Sequence, residues 1–106
     1  TYYAWDFVEG YQGNPNDIGF AARNPLEALD LTEKLTPETA AIFVLKDYDN
    51  FFKDFSIIRK LKNLSKTLKT QPKNIIIISS ELNIPDSLKE IITVIYLAVF
   101  ATCSAD

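Results

Sequence analysis

The sequence predicts an α/β domain: a mostly parallel sheet of about four strands with crossover helices, arranged in three layers. Three observations predict it. Two apolar runs, AAIFVLK (40–46) and NIIIISS (74–80), are too short for helices and are bounded by polar turns, as expected of strands covered on both faces. Between and around them the apolar spacing changes to helical. Ile57, Leu61, Leu64 and Leu68 recur at intervals of four, three and four, which places them along one helical stripe. Proline or a turn former stands at each change of period, so the elements are separated rather than merged.

Taken in order, Tyr2 to Val8 is aromatic and β-branched and reads as a strand, followed by a loop in GYQGNPNDIG that holds all three glycines. Asn24, Pro25 and Glu27 have the cap, first-turn proline and capping acid of a helix start, and Ala28, Leu31 and Leu35 continue it to about Leu35. Thr36-Pro37 ends that helix ahead of the AAIFVLK strand. The second helix runs from Ser56 to about Thr70 and Pro72 stops it. Four consecutive isoleucines then favour a strand through their branching at Cβ. Pro85 and Asp86 open a short helix to about Ile91, and Thr93 to Phe100 reads as a last strand. The order β-α-β-α-β-α-β implies parallel pairing through right-handed crossovers.

At 106 residues and 47% apolar content the chain supplies one core and no second domain, so residues 1–106 read as a single α/β domain. A net charge of -3 argues against a general nucleic-acid or anionic-membrane binder. With Cys103 as the single cysteine and no histidine, an internal disulfide, the common Cys/His zinc sites and Ser-His-Asp or Cys-His catalysis are excluded. The composition suits a reducing, cytoplasm-type compartment. The opening TYYAWDF lacks a signal-peptide pattern and an initiator methionine and reads as an excised or truncated segment. The longest apolar run, Ile91 to Ala101, is 11 residues, well short of the roughly 20 needed to span a membrane.

In an open parallel sheet, ligands gather beyond the carboxyl ends of the strands. That rule singles out Asp6, Glu9, Asp47, Asp49, Ser79, Ser80 and Glu81. Such a rim can hold Mg²⁺ through carboxylates and waters, and ordinary loop chemistry explains the same residues. A phosphate loop, G-x-x-x-x-G-K-[ST], is not present. The nearest stretch, Gly13 to Gly19, has five intervening residues, places Phe20 and Ala21 where lysine and hydroxyl are required, and loses a backbone donor at Pro15. Charge is unevenly spread: residues 1–50 carry nine acids against three bases, whereas 51–75 carry one acid against seven bases. Lys62, Lys66, Lys69 and Lys73 follow helical spacing and form a candidate basic interaction face, or a solvated outer face opposite the apolar stripe.

The strings AWDFVEGYQGNPND, NPLEALDLTEKLTPETAAIFVLKDY and RKLKNLSKTLKTQPKNIIIISSELNIPDSLKEIITV together resemble the N-terminal region of a conserved AAA-type ATPase family of plastid and cyanobacterial genomes, from about Tyr3 to Ile95. The resemblance implies a non-catalytic accessory domain: a degenerate P-loop NTPase-like fold, comparable to an AAA core that lacks its first strand and phosphate loop. In that comparison IFVL-Lys46-Asp47 stands where active members have four apolar residues followed by Asp-Glu, and Lys46 in the first acid's place weakens any Mg²⁺ site. IIII-Ser79-Ser80 stands where the sensor strand ends in a polar residue. Lys46, Asp47, Ser79 and Ser80 are thus vestigial nucleotide-site positions, with no catalytic residue and no metal site in this chain. ATP and Mg²⁺ are implied for the full-length family only.

The partners implied are the remainder of the same ATPase and its other subunits. The gap in the sheet and the apolar tail YLAVFATCSAD add an expectation of self-association through a strand edge or apolar surface. The compartment implied is cytoplasmic or plastid stroma, without a membrane. Two further readings stay open: a receiver-like phospho-acceptor at Asp47, although the last strand offers no lysine, and a weak nucleic-acid contact through the lysine stripe.

Overall fold

The computed structural model describes residues 1–13, 17–81 and 83–92. Strand β1 (Tyr2–Asp6) turns back through Phe7–Glu9 into the short strand β2 (Gly10–Gln12). The turn is closed by the Asp6 carboxylate, whose Oδ1 accepts the N–H groups of Val8 at 2.9 Å and Glu9 at 2.7 Å. Gly10 sits at φ +73°, and a Cβ there would lie 2.7 Å from the carbonyl oxygens of both Gly19 and Phe20, so the following loop packs onto bare backbone. Pairing is antiparallel, with Ala4 opposite Gln12, Trp5 opposite Tyr11 and Asp6 opposite Gly10.

Sequence reasoning placed residues 10–12 in a loop. The structure makes them a strand because Tyr11 is fully buried and its hydroxyl donates to the Ala28 carbonyl at 2.5 Å. Three residues inside a run of turn formers carry too little periodicity to show this.

Helix α1 (Pro25–Lys34) begins as expected, with the Asn24 side chain accepting from the Glu27 N–H at 3.0 Å and proline in the first turn. Ala28, Leu29, Leu31 and Thr32 turn inward. Strand β3 (Ala41–Lys46) follows, then a 3₁₀ turn at Tyr48–Phe51. Helix α2 (Phe55–Thr67) is capped by Asp54, buries Ile57, Leu61 and Leu64, and tightens into a 3₁₀ turn at Leu68–Thr70. Strand β4 (Lys73–Ile78) completes the sheet. The expected helix after Pro85 is a single 3₁₀ turn, Asp86–Leu88, that inserts the fully buried Leu88 beneath α2. The expected strand Thr93–Phe100 lies outside the described residues.

The sheet order is β2-β1-β3-β4, with β1, β3 and β4 parallel: Tyr2 pairs with Ile42, and Ala41 with Lys73. The α/β class and the mostly parallel four-strand sheet are therefore as the sequence predicts. The described residues supply two of the three expected layers. From β1 to β3 and from β3 to β4 the chain steps in the same direction, so two crossovers of one hand place both helices on one face.

That face collects Tyr3, Trp5, Ala41, Phe43 and Leu45 against Leu29, Leu31, Ile57, Leu61 and Leu64 in one core. Tyr3 stacks on Phe43 at 5.3 Å, and the Trp5 indole N–H donates to the Ala21 carbonyl at 2.9 Å, so burial leaves no polar atom of that ring unpaired. Residues of the opposite parity, Tyr2, Ile42, Ile76 and Ile78, face outward and are exposed.

Candidate functional site

The carboxyl ends of β1 and β3 flank a cavity of about 580 Å³ lined by Asp6, Phe7, Val8, Lys46, Asp47, Asn50 and Phe51. Of the rim residues read from the strand ends the structure brings Asp6 and Asp47 to it, with Lys46 of the family comparison beside them; Glu9, Asp49, Ser79, Ser80 and Glu81 lie outside its lining. Asp47 takes the left-handed conformation, φ 57°, at the end of β3. Its N–H donates to the Ile78 carbonyl at 2.8 Å, tying the ends of β3 and β4 together, and its carbonyl accepts both the backbone N–H of Asn50 at 3.2 Å and the Asn50 side chain at 2.9 Å.

The floor is aromatic. Phe7 stacks on Phe51 at 5.6 Å with the Arg23 guanidinium 5.9 Å from the Phe7 ring centre. Sequence reasoning missed this pair, because the contact joins a hairpin turn to a 3₁₀ turn more than forty positions away.

Chemically the rim is largely occupied by its own structure. The Asp6 carboxylate holds the hairpin turn. The Ser79 hydroxyl donates to the Glu81 carbonyl at 2.5 Å and accepts the Glu81 N–H at 3.1 Å, so it closes a turn of its own. Among the described residues no three of His, Cys, Asp and Glu converge as metal ligands, so the rim acids are not assembled into the Mg²⁺ arrangement considered from sequence.

At the N-terminus of α1 and of α2 a side chain of the chain itself takes up a first-turn N–H. Asn24 caps α1, whose first residue Pro25 has no N–H, and the Asp54 carboxylate accepts the Ser56 N–H at 2.8 Å at the start of α2.

The lysine stripe is only partly a face. Lys66 and Lys69 are exposed, and Lys62 is half-buried. Lys73 is a correction: it is buried at the start of β4, with Nζ donating to the Thr36 carbonyl and to Gln71 Oε1, each at 2.7 Å. The helical spacing ends at Thr67, and from Pro72 a period of two governs, which puts Lys73 in line with Ile75 and Ile77 on the helix side. That parity was the available signal. Lys60, outside the stripe, bridges α2 to α1 through Asp30 at 3.3 Å and Glu33 at 2.5 Å, and the hydrogen bond to Glu33 lifts its pKa.

Residues 1–97 match the family model described as the SpoVK-like AAA ATPase N-terminal domain. The chain belongs to that family. Among similar proteins of this family, the AAA domain-containing protein ycf46 of Trieres chinensis is 60% identical over 93 residues, covering 88% of this chain and 19% of that protein. Its counterparts in Pyropia yezoensis and Guillardia theta are 56% and 51% identical over 95 and 94 residues, covering 90% and 89% of this chain and again 19% of theirs. The chain thus spans about a fifth of the length of these curated relatives. No solved structure matches it. Among the described residues, no helix is long and apolar enough to cross a membrane.

Proposed function

We propose that this chain is a non-catalytic accessory domain that contributes surface to a longer AAA-type ATPase, in an assembly or regulatory role. The capping of both helix N-termini by the chain's own side chains carries the reading. Phosphate recognition in nucleotide-binding α/β folds uses free N–H groups at the helix that follows a strand. Here Asn24 and Asp54 each take up one of those donors, Pro25 lacks one, and Asp54 adds a negative charge. Lys46 in place of the first acid after the β3 strand and the hairpin-bound Asp6 support the same conclusion. ATP and Mg²⁺ belong to the remainder of the longer protein, along with its turnover and its oligomeric partners. The proposed compartment is a plastid stroma or a cyanobacterial-type cytoplasm.

The test is a calorimetric titration of this chain with Mg²⁺-ATP. The expected result is no saturable heat up to millimolar nucleotide, unchanged by Lys46→Ala. Saturable micromolar binding that Lys46→Ala weakens tenfold or more overturns the proposal.

A further inference from the structure

Sheets built from parallel strands are covered on both faces, because the crossover connections that make them parallel leave helices on either side. Among the described residues β1, β3 and β4 are parallel, yet α1 and α2 both lie on the face of Tyr3, Phe43 and Leu45. Among the described residues, the other face exposes Tyr2, Ile42, Ile76 and Ile78 around the half-buried Ala4 and the buried Val44, with Ile76 47% and Ile78 53% exposed. Its charged residues, Asp6 and Lys46, stand at the carboxyl end, Asn74 is at the other end, and the exposed Gln12 borders Ala4 on the edge strand. β4 carries isoleucine on both parities, a pattern that a strand wet on one side does not need.

We infer that this face is the seat of an apolar helix supplied by the longer polypeptide from outside residues 1–106. Size selects the occupant. Three strands about 4.8 Å apart and three side-chain rows about 7 Å apart give a footprint of roughly 10 × 14 Å, on the order of 200 Å² with its rim. One helix, about 10 Å across and rising 1.5 Å per residue, covers that with roughly ten residues. A stable dimer needs about 800 Å² from each partner, so a second copy seated on this patch alone falls short. A segment of the same chain does not face that requirement, since tethering supplies it at an effective concentration on the order of millimolar. The relatives provide the source, because the matched region is 19% of their length. The inference rests on the chain being one domain of a longer protein and not on the absence of nucleotide binding, so either can fail without the other.

The experiment uses the intact protein in a Cys103→Ser background, with Ile76→Cys or Ile42→Cys on the open face and Phe55→Cys, 80% exposed on the helix side, as reference. Maleimide labelling is followed at each position by peptide mass spectrometry over a hundredfold range of protein concentration. The expected result is labelling at positions 76 and 42 at least tenfold slower than at 55, independent of concentration. Equal labelling at all three positions overturns the inference, and protection that disappears on dilution overturns it in favour of a second copy. Hydroxyl-radical footprinting of unsubstituted Tyr2 gives the same readout without a substitution: protection in the intact protein agrees, and oxidation at the rate of free tyrosine contradicts.

Discussion

Lys73→Met separates the two places this lysine can occupy, on a basic outer face or inside the fold. Methionine keeps most of the length and apolar contact of the lysine stem, so the change removes the ammonium group and its two hydrogen bonds to Thr36 and Gln71. Hydrogen bonds to a charged donor contribute about 1.5–3 kcal/mol each. Thr36 is exposed and Gln71 half-buried, so both acceptors regain water and the net loss is about 1.5–3 kcal/mol for the pair. In a chain of this size that lowers the thermal midpoint by roughly 6–20 °C.

Lys66→Met is the control: Lys66 is exposed, makes no ion pair among the described residues, and its loss changes stability by about 0.5 kcal/mol at most. Urea denaturation of both variants, at low and high salt, measures the difference. If Lys73→Met is as mild as Lys66→Met, the register of β4 is wrong by one residue. A slip of one moves Lys73 to the open face and Ile76 to the core.

Two other outcomes follow from the same coordinates. Gly10→Ala places a Cβ 2.7 Å from two backbone oxygens at φ +73° and is expected to cost about 2–4 kcal/mol, whereas Gly19→Ala, at φ +83° with nothing within 4 Å, costs about 1 kcal/mol; equal losses in thermal midpoint contradict the packing of the loop on β2. Burial, with smaller contributions from Tyr11, Asp54 and Asp30, pushes the Tyr48 hydroxyl far above the usual value of 10.0, and burial does the same to Tyr11. A raised folded-state pKa leaves stability complete below pH 10 and removes it as pH climbs toward the folded value, by about 1.4 kcal/mol per pH unit for each tyrosine. Unfolding free energies measured from pH 8 to 11 are therefore expected to fall less steeply above pH 10 in Tyr48→Phe, by about 1.4 kcal/mol per pH unit, with Tyr11 and Lys60 keeping the remaining slope. An unchanged slope contradicts the assignment.

The sequence by itself determined what depends on near neighbours in the chain. The α1 start is written in Asn24, Pro25 and Glu27, the α2 stripe in Ile57, Leu61 and Leu64, and strands β3 and β4 in runs of branched residues, because capping, periodicity and β-branching act within a few residues. The candidate rim was legible as far as Asp6 and Asp47, since strand ends define it, and Lys46 entered through the family resemblance. Tertiary structure decided the rest. β2 exists because Tyr11 reaches Ala28, the Phe7–Phe51 floor because a hairpin turn meets a 3₁₀ turn, and Lys73 is inside because Thr36 and Gln71 receive its ammonium group. Which face the helices cover follows from the direction of each crossover. Strand order sets that direction, and strand order is fixed by contacts between segments about thirty to forty residues apart that no local pattern encodes.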